Sequence, residues 1–158
     1  MRDSEGDPLL DLLSRLHKEG VDYVLVGGQA VRLNGYLRAT EDIGVLIRAS
    51  RQNGERIIRA LGFLESAKDL RPEWFEPTPN GHPDNIRVAD ELLVDLLFTA
   101  NGQTYESVQP WVRELAVEGT PVKVLDIDGL ILTKTDYREK DLLDKRALLR
   151  IKEQMQRL

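Results

Sequence analysis

The sequence contains no cysteine, which excludes disulfides, thiol catalysis and cysteine zinc sites together. Its two histidines, His17 and His82, stand far apart with no second imidazole at helical or loop spacing. A zinc or transition-metal enzyme is therefore not expected, while carboxylates holding a hard cation stay open. Long apolar runs are absent too. No stretch approaches the ~20 residues needed to span a bilayer, and residues 1–8 are acidic and polar rather than basic and then apolar. These absences predict a cytoplasmic protein with no membrane partner. Nor is there an excess of positive charge: the formal charge of -5 argues against broad adhesion to nucleic acid and leaves only a local basic patch open.

What is present fits a soluble globular chain, with 41% hydrophobic and 31% charged residues. Most domains hold roughly 100 to 150 residues, so a chain of 158 is expected to form one domain over 1–158. Leu9, Leu10, Leu12, Leu13 and Leu16 recur at helical spacing and Gly20 stands where a left-handed cap would go, which predicts a helix over 8–19. The β-branched run 21–26 reads as a buried strand ending in a tight turn at Gly27-Gly28. A short helix over 29–34 follows, with Gly35 as its stop. Residues 42–47 are strand-like, and Ser50 is placed to cap a helix through Ile57, Ile58 and Leu61 that Gly62 closes. Four prolines and Asn80-Gly81 make 68–84 mostly loop, of a length that is usually functional or disordered.

Farther on, 86–89 reads as a short strand and 92–98 as a stronger one, interrupted by Asp95. Tyr105, Val108, Val112 and Leu115 are spaced as on a helix, 121–125 as a strand, and Asp126 as the cap of a short helix through Leu130 to Thr133. A last helix over about 139–156 carries Leu142, Leu143, Ala147, Leu148, Ile151 and Met155 as a stripe for the core or for a dimer. Alternating helices and strands predict an α/β or α+β fold with a mixed sheet flanked by helices.

Three features could share one cleft if strands 21–26, 42–47 and 92–98 are neighbours. Gly27-Gly28 would let backbone N–H groups approach a phosphate at a helix N-terminus, although any strand-to-helix turn can use such a pair. Strand alternation puts Asp42 and Gly44 on one face and Glu41 and Ile43 on the other. Asp95 lies in an apolar run, where an unpaired carboxylate would cost several kcal/mol. It needs a partner such as Arg38, or exposure on an edge strand. A dinucleotide site would need G-x-G-x-x-G, and Gly27-Gly28 is followed instead by Gln29, Ala30, Val31, Arg32 and Leu33.

The segment "VLVGGQAVRLNGYLRATEDIGVLI" resembles the signature of polymerase-β-like nucleotidyltransferases, most closely the small bacterial proteins grouped with the AbiE-type (MNT-like) toxin enzymes. Gly27-Gly28 is followed by a spacer of thirteen residues and Asp42-Ile43-Gly44, with Arg38 and Thr40 just before. "ELLVDLLF" is similar to the family's third-carboxylate strand. "PVKVLDIDGLILTK" and "REKDLLDKRALL" are similar to its downstream lysine and its basic-Asp-x-x-Asp helix.

The resemblance covers about residues 20–150 and implies transfer of a nucleoside monophosphate from a nucleoside triphosphate, with Mg²⁺ or Mn²⁺, to an RNA, protein or small-molecule acceptor. It implies that Gly27 and Gly28 seat phosphates, that Asp42 and Asp95 hold metal, and that Lys134 meets the triphosphate, with Arg38 and Thr40 nearby. A solvated lysine at a helix end is the plainer reading of Lys134, and a surface charge cluster that of Lys140, Asp141 and Asp144.

The departure is at Gly44, where the family signature has a second carboxylate. Glu41 should face away and Asp90 and Glu91 belong to another edge, so the metal triad is incomplete and catalysis is expected to be much weaker. The alternative is an inactive member of the fold that binds nucleotide or a partner, such as the cognate protein of a toxin–antitoxin pair.

Overall fold

The computed structural model describes residues 8–27, 29–30, 42–79 and 81–157. In chain order the elements are α1 (Pro8–Lys18), β1 (Tyr23–Val26), β2 (Asp42–Ile47), α2 (Arg51–Ala60), β3 (Ile86–Ala89), β4 (Leu93–Leu97), β5 (Val112–Val117), β6 (Thr120–Leu125), α3 (Ile127–Leu132) and α4 (Glu139–Gln156). The helix expected over 29–34 falls largely outside the described residues.

Helix α1 buries Leu9, Leu12, Leu13 and Leu16 on one face. It stops at Gly20, whose φ of +71° turns the chain so that its N–H meets His17 O and Val21 N–H meets Leu16 O, each at 3.0 Å. This is the Schellman pattern that satisfies the last carbonyls of a helix. Ser50 Oγ accepts the Asn53 N–H at 3.0 Å and so caps α2. Buried Asn53 does more. Its Oδ1 accepts the Asp22 N–H, and its Nδ2 donates to the Asp22 and Arg48 carbonyls, tying α2 to the entry of β1 and the exit of β2.

The six strands form one mixed sheet in the order β3-β4-β2-β1-β6-β5. β1 is buried at all four positions, as a central strand covered on both faces must be. It runs antiparallel to β2, with Val26 opposite Gly44, and parallel to β6 through Leu25 and Val124. β2 runs parallel to β4, pairing Gly44 with Asp95. β3 closes that edge antiparallel to β4, pairing Arg87 with Asp95. The result is an α+β architecture whose mixed sheet is flanked by four α-helices among the described residues.

Three expectations are corrected. The helix expected through Tyr105, Val108, Val112 and Leu115 is a buried turn around Tyr105 and Val108, a 3-10 turn at Gln109–Trp111, and strand β5. Pro110 stops helical propagation. Glu118 and Gly119, at φ of +50° and +82°, form the two-residue turn that folds β5 back on β6.

The second correction touches only the disordered alternative for 68–84: the segment is loop in the main, as expected, but its described residues include a docked one. Two 3-10 turns, Glu65–Asp69 and Pro72–Phe75, lead into it and through it. Phe75 is fully buried and meets Phe98 edge-to-face at 5.9 Å. The third correction concerns α4. Its buried positions are Asp141, Asp144 and Leu148, while Leu142, Leu143 and Met155 are exposed. The helix therefore turns toward the body a face one step away from the leucine stripe.

Candidate nucleotide cleft

The parallel pairing of β2 and β4 decides which side chains meet. Asp42 opens β2, and Gly44 lies two residues on, so both project to the same side of the sheet. Asp95 sits directly beside Gly44. Asp42, Gly44 and Asp95 line one cleft of about 420 Å³, together with Gly27 at the end of β1, Asn85, and the segment from Thr133 to Asp141 that joins α3 to α4. Gly27 takes a left-handed φ of +72°, a turn that glycine makes without steric penalty.

β4 is interior to the sheet, so Asp95 does not lie on an edge strand. Its described partner is Arg87, next to it on β3. Arg87 Nε contacts Asp95 Oδ1 at 3.3 Å and Nη2 donates to Asp42 Oδ2 at 2.8 Å, so one guanidinium spans both carboxylates. Burial pushes the Asp95 carboxyl above its ordinary value; the Arg87 charge pulls it back, Asp42 pushes it further up, and Lys140 opposes. Arg87's role is not legible in the sequence, because alternation about Ile86 and Val88 shows only that it faces away from them. Its partner follows from the β3–β4 register, which depends on the turn at Asp90.

Asp90 itself accepts the Ser66 and Glu91 N–H groups at 2.7 and 2.8 Å. Those bonds hold its carboxyl below the usual range, and it does not line the cleft.

The opposite wall differs from expectation. Lys134 is buried rather than solvated, and its Nζ donates to the buried Asp144 carboxylate at 3.0 Å. Asp141 Oδ2 accepts both the Thr135 N–H and the Thr135 hydroxyl at 2.9 Å. Desolvation pushes Asp141 up, but the two Thr135 bonds and the charges of Lys134 and Arg138 outweigh it, so the carboxyl stays below its ordinary value. Asn101 Nδ2 ties in the carbonyls of Leu132 and Lys134. Asp141 and Asp144 are thus buried docking groups for α4 instead of a surface cluster, and Lys140 alone of the three is exposed. Lys134, Lys140 and Asp141 line the cleft, as do Tyr137 and Arg138.

Gly28, Arg38 and Thr40 lie outside the described residues, as does Glu41. Among the described residues no group of three or more His, Asp and Glu side chains is placed to hold a metal ion. Two carboxylates and a glycine stand in the row instead. The glycine leaves space: a Cβ at Gly44 would meet Val26 Cγ2 and Val26 O at 3.7 Å and Leu97 Cδ1 at 3.9 Å, all ordinary contacts.

No family model matches the chain, and no curated protein matches it. Solved structures do. A Thermotoga maritima protein, TM1012, provisionally assigned as a nucleotidyltransferase, superposes with a TM-score of 0.56 at 17% identity over 90% of this chain and 88% of its own. The lincosamide antibiotic adenylyltransferase LnuA, in its lincomycin-bound form, gives 0.53 at 19% identity over 90% and 95%. The chain has the nucleotidyltransferase fold. Among the described residues, no helix is long and apolar enough to cross a membrane.

Proposed function

We propose that the cleft binds a nucleoside triphosphate and passes its nucleoside monophosphate, slowly, to an acceptor hydroxyl, which loses its proton and displaces pyrophosphate from the α-phosphorus, with the rate held down by Gly44. The observation that carries this reading is the β2–β4 register, which brings Asp42, Gly44 and Asp95 together facing one cleft of the nucleotidyltransferase fold. The donor set fits a hard cation, since carboxylate oxygens suit Mg²⁺ or Mn²⁺, and Asp42 and Asp95 would hold it. When bound, such an ion would neutralise charge on the transferring phosphoryl group. The chain's own residues supply the rest. Arg138 and Lys140 line the same cleft and offer positive charge to phosphates, while the open turn at Gly27 lets backbone approach them.

Kinship with the AbiE-type enzymes, and a cognate toxin or antitoxin as partner, belong to the same reading and rest on the order of motifs. An RNA, protein or small-molecule acceptor is compatible with it. The second reading, a non-catalytic nucleotide-binding protein, is favoured by Arg87, which already engages both carboxylates.

The test is label transfer from each α-labelled NTP with Mg²⁺ or Mn²⁺, comparing the chain with Gly44→Asp and with Gly44→Asp combined with Asp95→Asn. Restored transfer by the first variant and none by the second supports an attenuated enzyme. No transfer by any of them, across varied acceptors, favours the non-catalytic reading.

A further inference from the structure

Gly44, Asp95 and Arg87 occupy directly paired positions on three adjacent strands, β2, β4 and β3. The first contributes no side chain, the second a carboxylate, and the third a guanidinium that reaches past Asp95 to the Asp42 oxygen on the far strand. Arginine presents several donors in a rigid planar fork, and here two of its edges serve two different carboxylates. β3 is the sheet edge, and the Arg87 side chain is 54% exposed, so the guanidinium can withdraw into water without leaving a buried charge behind.

We propose that Arg87 is a resident counter-cation of the two carboxylates, so that a divalent ion gains Asp42 and Asp95 only by displacing it. The proposal rests on the reading of these carboxylates as the metal ligands. The physical ground is charge. With a glycine in the row, Arg87 is the described guanidinium that touches both carboxylates, and a divalent ion arriving beside an undisplaced arginine would be repelled at close range. Displacement also frees a fork-shaped cation beside Asp42 and Asp95, two of the residues that line the cleft, a group suited to phosphate oxygens. Arg87 thus sets the threshold for metal entry and makes it depend on the nucleotide that can receive the guanidinium.

Mn²⁺ titration of the whole chain, followed by the electron paramagnetic resonance signal of the free ion, tests this without reference to catalysis. Arg87→Gln is expected to tighten Mn²⁺ binding about tenfold, because it removes a unit charge near the site. Arg87→Lys should stay near the parent, and Asp95→Asn added to Arg87→Gln should abolish the gain. A Mn²⁺ affinity unchanged or weakened in Arg87→Gln, yet lost in Asp95→Asn, overturns the role of Arg87 and leaves the metal site standing. Absence of Mn²⁺ binding in parent and Arg87→Gln alike overturns both. Gain in Arg87→Gln that survives Asp95→Asn places the ion elsewhere and also overturns the proposal.

Discussion

Lys134 and Asp144 meet at 3.0 Å with side chains 6% and 1% exposed, whereas Arg87 and Asp42 meet at a shorter 2.8 Å with side chains 54% and 42% exposed. Distance alone would rank the second contact as the stronger. The surroundings reverse that order. Breaking a buried pair strands a charge in a low-dielectric interior, and breaking a wet one returns both partners to water. One side of the cleft therefore uses charge as a fastener between α3 and α4, and the other keeps charge in an exchangeable state beside the open space at Gly44.

The largest effect is expected at Lys134. Lys134→Ala is expected to lower the unfolding free energy by about 3–5 kcal/mol, since it breaks the buried Lys134–Asp144 pair. Urea denaturation measures this, and a loss below about 1 kcal/mol would mean that the pair is as replaceable as the wet one.

Asp141→Ala should cost about 1–3 kcal/mol at neutral pH through the orphaned Thr135 donors. The sign of its pH dependence is fixed by the depressed carboxyl value. A carboxylate with a folded pKa below its unfolded value of about 3.9 stabilises fully above that value and loses its contribution as pH falls through the folded pKa. The stability curves of parent and Asp141→Ala should thus converge in acid.

Asp95 behaves in the opposite sense, its folded value being raised. Its ionised form disfavours folding, so this group adds stability as pH falls toward its unfolded value. Asp95→Asn, measured in chelator, should change stability by less than about 1 kcal/mol at neutral pH. A large loss would make Asp95 a structural group like Asp144.

The smallest effect is expected at Gly44. In Gly44→Asp, relief of glycine's backbone entropy and repulsion from Asp95 across the strand oppose each other, for a net change within about 0.5 kcal/mol without metal. A marked drop in the melting temperature would show that the space beside Val26 and Leu97 is less open than its contacts indicate.

The same contrast explains what could be read from the sequence. The strands that carry Asp42 and Asp95 were legible because alternation and β-branched runs are local signals, and so were the caps at Ser50, Gly20 and Asp126. The buried wall was not. Asp141 and Asp144 read as surface charge because carboxylates are rarely buried, and their partners Thr135 and Lys134 are recognisable only once α4 has docked. Its leucines misled for the same reason, since a helix that buries aspartates turns Leu142 and Leu143 outward. At β5, Tyr105, Val108, Val112 and Leu115 mimic a helical period across a segment that Pro110 divides. Arg38, the partner expected for Asp95, lies outside the described residues; Arg87 holds the carboxylate from a strand whose register no local pattern shows.

The pairing of β1 with β6 has a consequence for how the chain is made. The Tyr23 hydroxyl accepts the N–H of Lys123, 100 residues farther along, and the same neighbour supplies the second edge of β1. A growing chain presents β1 and β2 as a two-stranded ribbon with an open apolar edge until β6 leaves the ribosome. Contacts so distant in sequence form slowly, and an unpaired edge invites association with other chains. Between synthesis of Val26 and of Leu125 that edge of β1 stays without its β6 neighbour.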